Sequence, residues 1–407
     1  MDPEVTADVF AFLHNYKNEP KAKEALLRFL QARPAREPVV SLIPVEEYAM
    51  RLDAIIELRD IYRQQTNEQD FEFTGPGFLH ADIPDLVGTL ALFRQPHQAE
   101  YADRLLQVLQ PALFSRPDSS HSGQSSKSKN RNENEKSNCL DLDKKVCVIT
   151  GAPNPHVCHI IPFAWNKKAA NQATTFNFRT AMATFLGLPN DAVTRDAIRS
   201  LHVELGSSDH VWNMICLSPL LHDWWGRGYF AIKFLGDEAL GDGKSSVKLQ
   251  FVWMPLFINK GTAKETINLE EQRDPQTWLS KSLTHHHGER SQSCRPGDDC
   301  PTCHLAEKVI CQTALTHRPV WSGSIFRVTR PTAGVPFFQR MIDIQWAIIC
   351  AASLSGQAQD LEIALKRDPS DPEGQKVAPS AGLGDPEILE WLQNVQLGEE
   401  QEHQDTP

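Results

Sequence analysis

No stretch of this 407-residue chain approaches the ~18 consecutive apolar residues of a membrane-spanning helix, so no membrane partner is expected. The opening residues, Met1-Asp2-Pro3-Glu4-Val5, carry neither a basic n-region nor an apolar core, and no secretory signal is expected there. An excess of positive charge is also missing. Against 41 Lys and Arg stand 52 Asp and Glu, a formal net charge of −11. The whole-molecule field therefore repels polyphosphate, and any nucleic-acid surface has to be a local patch. No basic run of the nuclear-localisation kind stands out, which leaves nucleus and cytoplasm both open. Nine cysteines, an odd number without a secretory context, exclude a paired disulfide scaffold and point to a reduced, intracellular protein.

What is present is enough apolar residue (41%) to build a real core, in a chain long enough for two or three units. Residues 1–114 read as a helical N-terminal region, with apolar residues at helical spacing from Val5 to Leu30 and from Val45 to Tyr62, and further helices at 86–93 and 101–109. This region shows no catalytic pattern and reads as a packing or protein-partner unit. Residues 115–138 hold no large apolar side chain and read as a disordered, charge-alternating linker. The main domain is expected over 139–356. It contains short strands at 146–149 and 157–161, helical sequence over 175–205, and a helix opened by Ser218-Pro219. Alternating apolar and polar residues at 229–235, 247–254 and 324–329 predict an antiparallel sheet, and Phe337–Leu354 a long apolar helix. Residues 283–304 read as a disordered loop interrupting that sheet, and 357–407 as a mostly disordered acidic tail.

The charge is unevenly spread. Between Lys144 and Gly236 nine basic residues face five acidic ones, so this segment is locally +4. It also holds the one constellation with chemical promise: Cys147-Val148-Ile149-Thr150-Gly151, then Cys158-His159-Ile160-Ile161-Pro162, then Asn213 through His222. Phosphodiester hydrolysis needs a base to deprotonate water, a divalent cation against the phosphorane charge, and rigid placement of both. Two histidines on adjacent elements can supply base and metal ligand, and a buried asparagine can hold the hairpin that carries the base.

This pattern resembles the HNH (ββα-metal) endonucleases, most closely the HNH domains of uncharacterised fungal proteins, in which Cys-x-x-Thr-Gly precedes His-Ile-x-Pro. The step from Asn213 to His222 matches the family's, and Ser322–Val328 and Met341–Trp346 resemble the C-terminal part of those proteins. The resemblance covers roughly residues 140–355. It implies an α+β fold: a helical N-terminal unit, a ββα-metal module with a helical insertion, an appended antiparallel sheet and a C-terminal helix. It further implies His159 as general base, Asn213 as positioning residue, His222 as metal ligand, a divalent ion (Mg, Mn or Zn), and nucleic acid, DNA foremost, as substrate.

Two positions depart from the family. Cys158 stands where Asp or His usually precedes the base, and Gly226 where a further ligand often follows His222. Cys158 and Asp223 are the substitute ligands near at hand, with Asp209 and His210 as others. The departures motivate an alternative, a catalytically degenerate HNH fold that binds nucleic acid or protein. A second cysteine group, Cys294, Cys300, Cys303 and Cys311 with His285–His287 and His304 nearby, contains only one Cys-x-x-Cys. The expectation there is an irregular surface loop rather than a zinc site.

Overall fold

The computed structural model describes residues 20–32, 34–39, 48–66, 130–168, 172, 191–256, 284–295 and 298–354. The expected helices at 86–93 and 101–109, the first half of the one expected from Val5, most of the 175–205 stretch and the acidic tail lie outside these residues.

Two small antiparallel sheets organise the described chain. In the first, β1 (His156–His159) pairs with β2 (Met214–Leu217), in a register that sets His159 opposite Met214 and Cys158 opposite Ile215. Alternation along β1 sends Val157 and His159 to one face and His156 and Cys158 to the other. Helix α3 (Glu133–Leu142) covers the first face, burying Cys139 against Val157, Met214 and Cys216. Helix α6 (Pro219–Gly226) covers the second, where Cys158 shares a core with Leu221 and Trp225. Chain order between them supplies a short kinked α4 (Ala164–Lys167) and α5 (Ala192–Ser200).

The second sheet runs β3 (Phe230–Gly241), β4 (Lys244–Trp253), β5 (Ile325–Pro331), antiparallel throughout. Its central hairpin turns on Asp242-Gly243, both at positive φ (52° and 68°). That is the left-handed pair a two-residue turn of this twist demands. Aromatic rings fill the sheet's core: Phe251 lies 4.7 Å from both Phe230 and Trp253. The long helix α8 (Val335–Leu354) lies on β3 and closes that core with Phe338, Met341, Ile342 and Ile349. Each such fully buried apolar side chain contributes roughly 1.5–3 kcal/mol.

The N-terminal helices α1 (Pro20–Gln31) and α2 (Tyr48–Thr66) are part of the same compact unit. Leu52 and Ile55 of α2 enter the main core. Residues 35–37 run against 323–325, with Ile325 N–H donating to Ala35 O and Glu37 N–H to Gly323 O, both at 2.9 Å.

Three local expectations are corrected. The linker reading of 115–138 ends early, because helix α3 starts at Glu133. Asn132 caps it, Glu135 accepts from Val211 N–H at 2.8 Å, and tertiary contacts rather than apolar periodicity carry it. Residues 146–149 form a tight turn closed by a single bridge between Val146 and Pro153, not a strand. The left-handed backbone of Lys144 and Lys145 turns the chain just before it. Residues 284–295 and 298–304 fold back on the end of β4 and lead into α7 (Pro301–Glu307), so the stretch read as a disordered loop is structured over those residues.

Candidate active site

Asn213 ends a single 3-10 turn (Val211–Asn213) immediately before β2, and is fully buried. Its Oδ1 accepts from Ile161 N–H at 2.8 Å, while its Nδ2 donates to Ile161 O at 2.9 Å and Ser208 O at 3.0 Å. Its own carbonyl accepts from Ile160 N–H at 2.8 Å. The side-chain amide thus extends the β1–β2 ladder past His159, tying the exit of β1 to the entry of β2.

His159 sits at that clamped end of β1. Its Nε2 lies 2.8 Å from Asp209 Oδ1, and both side chains are only 4% exposed. The imidazole stacks on Phe163 with centroids 5.5 Å apart. Asp209 Oδ2 in turn accepts from Asn132 N–H at 2.5 Å, the residue that caps α3. Carboxylate, imidazole and helix cap therefore form one chain of hydrogen bonds.

His222 projects from α6, whose start is set by Ser218: its Oγ accepts from Leu221 N–H at 3.3 Å, and Pro219 occupies the first turn. His222 Nδ1 lies 3.4 Å from Nδ1 of His156, the rings edge-to-face at 5.6 Å. His156 escaped the motif reading. The signal was available, since a residue two before Cys158 on a strand shares its face. Cys158 itself is buried in the core, with its thiol 3.5 Å from His156 O. Asp223 pairs with Arg227 at 3.0 Å. His210 stacks on Trp212 and approaches Glu135 at 3.6 Å. Gly226 ends α6 without a side chain. The structure thus brings His159 together with Asp209 on one face of the hairpin, and His222 together with His156 on the other.

A cluster of Cys139, Asp143 and Cys216 also converges beneath the hairpin. Its carboxylate is already answered, because Arg330 of β5 makes a bidentate pair with Asp143 at 2.7 and 3.2 Å, with every side chain fully buried. Arg330 also donates to Met214 O at 2.8 Å, and Asp143 accepts from Cys216 N–H at 3.0 Å. The hydrogen bond with Cys139, with burial adding to it, raises the Cys216 thiol far above its ordinary range.

Residues 147–233 match a family model described as HNH endonuclease. The HNH segment begins at Cys147 and runs through the ββα elements into β3, so Asn213, His159 and His222 all lie within it. The match supports the HNH family for this part of the chain, and with it nuclease activity in general and a nucleic-acid substrate. No curated protein and no solved structure matches the chain. Among the described residues, no helix is long and apolar enough to cross a membrane.

Proposed function

We propose that the chain is a metal-dependent HNH-type endonuclease that hydrolyses phosphodiester bonds in nucleic acid, DNA foremost. The likeness of its motifs to fungal HNH proteins is part of the same reading. The observation that carries it is the His156–His222 pair. Two imidazole nitrogens bound to one tetrahedral ion at about 2.0–2.1 Å stand about 3.4 Å apart, which is the separation found here. His156 and His222 fit a divalent ion that accepts imidazole, and Zn or Mn suits such a pair better than Mg, which prefers oxygen. In this reading Cys158 and Asp223 leave the ligand set, the first to the core and the second to Arg227. The ion supplies charge stabilisation to the scissile phosphate when bound.

His159 is the general base. Asp209 accepts from Nε2–H, so Nδ1 is the nitrogen that takes the proton of the attacking water. The water oxygen bonds to phosphorus, the bridging P–O bond breaks, and the leaving oxygen takes its proton from solvent. Asp209 stabilises the imidazolium and fixes the ring. Asn213 positions the base through the backbone at Ile160 and Ile161, so it is a positioning residue.

One observation favours a second reading, a non-catalytic HNH fold that binds nucleic acid, or a protein through its N-terminal helices. The side chains of His159 and Asp209 are each 4% exposed and lie on the face of the hairpin opposite His156 and His222, so base and ion meet at one phosphate only where the chain around the base opens. Plasmid nicking with Mg²⁺, Mn²⁺ and Zn²⁺, wild type beside His159→Ala and the His156→Ala/His222→Ala pair, separates the two. Metal-dependent nicking lost in both variants is the expected result. Nucleic-acid binding without nicking under any metal would establish the second reading.

A further inference from the structure

Outside the HNH segment, His285, Cys294, Cys300 and Cys303 bring one nitrogen and three sulfurs within 4.8 Å of one another. We propose that these four residues bind a structural zinc ion as a Cys₃His site.

The spacing alone, His285-x₈-Cys294-x₅-Cys300-x₂-Cys303, contains one knuckle-type pair and reads as a loop. The fold changes that reading by supplying the other two ligands from a segment that turns back on itself. His285 leaves the end of the central sheet: its carbonyl accepts from Leu256 N–H, and His287 N–H donates to Met254 O. Gly288 then passes directly under Trp253, where a Cβ would come within 2.3 Å of the ring. Arg290 pins the far side, donating to Arg295 O at 3.0 Å and Asp298 O at 2.8 Å. Cys300 caps α7, and Cys303 lies buried in its first turn.

The distances suit zinc. With Zn–S of about 2.3 Å and Zn–N of about 2.0–2.1 Å, ligands on one tetrahedral ion stand about 3.6–3.8 Å apart. His285 Nε2 lies 3.5 Å from Cys300 Sγ and 3.8 Å from Cys294 Sγ. All three cysteines are free thiols. The backbone N–H groups of Cys303 and Ser291 are aimed at the Cys300 and Cys303 sulfurs, the outer-shell donors that a thiolate ligand set uses. Three soft donors and one imidazole select zinc over Mg²⁺ or Ca²⁺.

Cys311, grouped with these residues in the sequence, stands apart. It is buried beside Cys147, and burial pushes its thiol up to about 12. The buried Cys139–Asp143–Cys216 cluster is a poor rival, because the Arg330 guanidinium already occupies its charge.

The ion's role is to hold a segment with little regular structure against the end of β4. Metal content of the full chain tests it, with nitrogen ligation at the HNH segment removed by His156→Ala/His222→Ala. That protein is expected to retain about one zinc per chain and to lose it when Cys300→Ser and Cys303→Ser are added, whereas His285→Cys keeps it. Co²⁺ substituted into wild-type protein is expected to give thiolate charge-transfer absorption and tetrahedral d–d bands, a readout that needs no variant to fold. Zinc retained after loss of both cysteines, or a Co²⁺ spectrum without sulfur charge transfer, would overturn the assignment.

Discussion

Asn213 and Ile161 exchange two hydrogen bonds, side-chain amide to main-chain amide, as though the asparagine were one more residue of the facing strand. The clamp lies two residues beyond His159, so the orientation of that imidazole depends on a buried carboxamide. Asn213→Ala removes these bonds and the one to Ser208 O in a fully buried place. With polar main-chain groups left unsatisfied, the expected loss is about 2–4 kcal/mol, read by chemical denaturation, together with faster amide exchange at Ile161.

Asp209→Asn tests the proposed role of the His159–Asp209 pair. The amide preserves the shape but no longer stabilises the imidazolium or selects the tautomer with the proton on Nε2. Nicking is expected to fall by about 10²-fold or more with metal content and nucleic-acid binding unchanged. Equal activity in wild type and variant would remove Asp209 from the mechanism.

For the pair Arg330–Asp143, the prediction separates breaking it from replacing it. Asp143→Ala strands a buried guanidinium and is expected to cost about 3–5 kcal/mol. Asp143→Leu combined with Arg330→Met takes both charges away and is expected to recover most of that loss. Denaturant midpoints of the single and double variants measure the difference.

A pH prediction follows from Asp191, the cap of α5. The backbone N–H and hydroxyl of Thr194 hold its carboxyl below the ordinary value of 3.8, with Arg340 adding to the effect. Because the folded-state pKa is lowered, the stabilisation is present above 3.8 and is lost as pH falls through the lower folded value. Asn at this position still caps but cannot be protonated in that range. Asp191→Asn is therefore expected to match wild type in Tm near neutral pH, after allowance for the weakened Arg340 contact, and to lose less on acidification.

How legible all this was depends on the kind of order involved. The β3–β4–β5 strands and α8 are regular and half-buried, so alternation and apolar periodicity mark them. The cap at Ser218-Pro219 is local chemistry and equally plain. Helix α3 was not legible, because its sequence is polar and what orders it comes from Asp209, Val211 and Arg330, far along the chain. Among the site residues, His159, Asn213 and His222 declare themselves by motif. Asp209 becomes the partner of His159 only through the fold, which closes a gap of 50 residues. The order of the cysteine loop was illegible for the same reason: one knuckle is visible in sequence, whereas His285 comes near it only after the chain turns beneath Trp253.

The salt link from β5 to the hairpin also bears on the order in which this protein is built. Arg330 follows Asp143 by 187 residues and lies well past the last residue of the HNH segment. A ribosome that has finished that segment has delivered the His156–His222 pair, the His159–Asp209 pair and the clamp, but not the cation that neutralises the carboxylate beneath them. A nascent chain stopped there leaves the Asp143 carboxylate without its Arg330 partner. Completion of the buried side of this hairpin therefore waits on β5, and a chain terminated before Arg330 is expected to leave it unfinished.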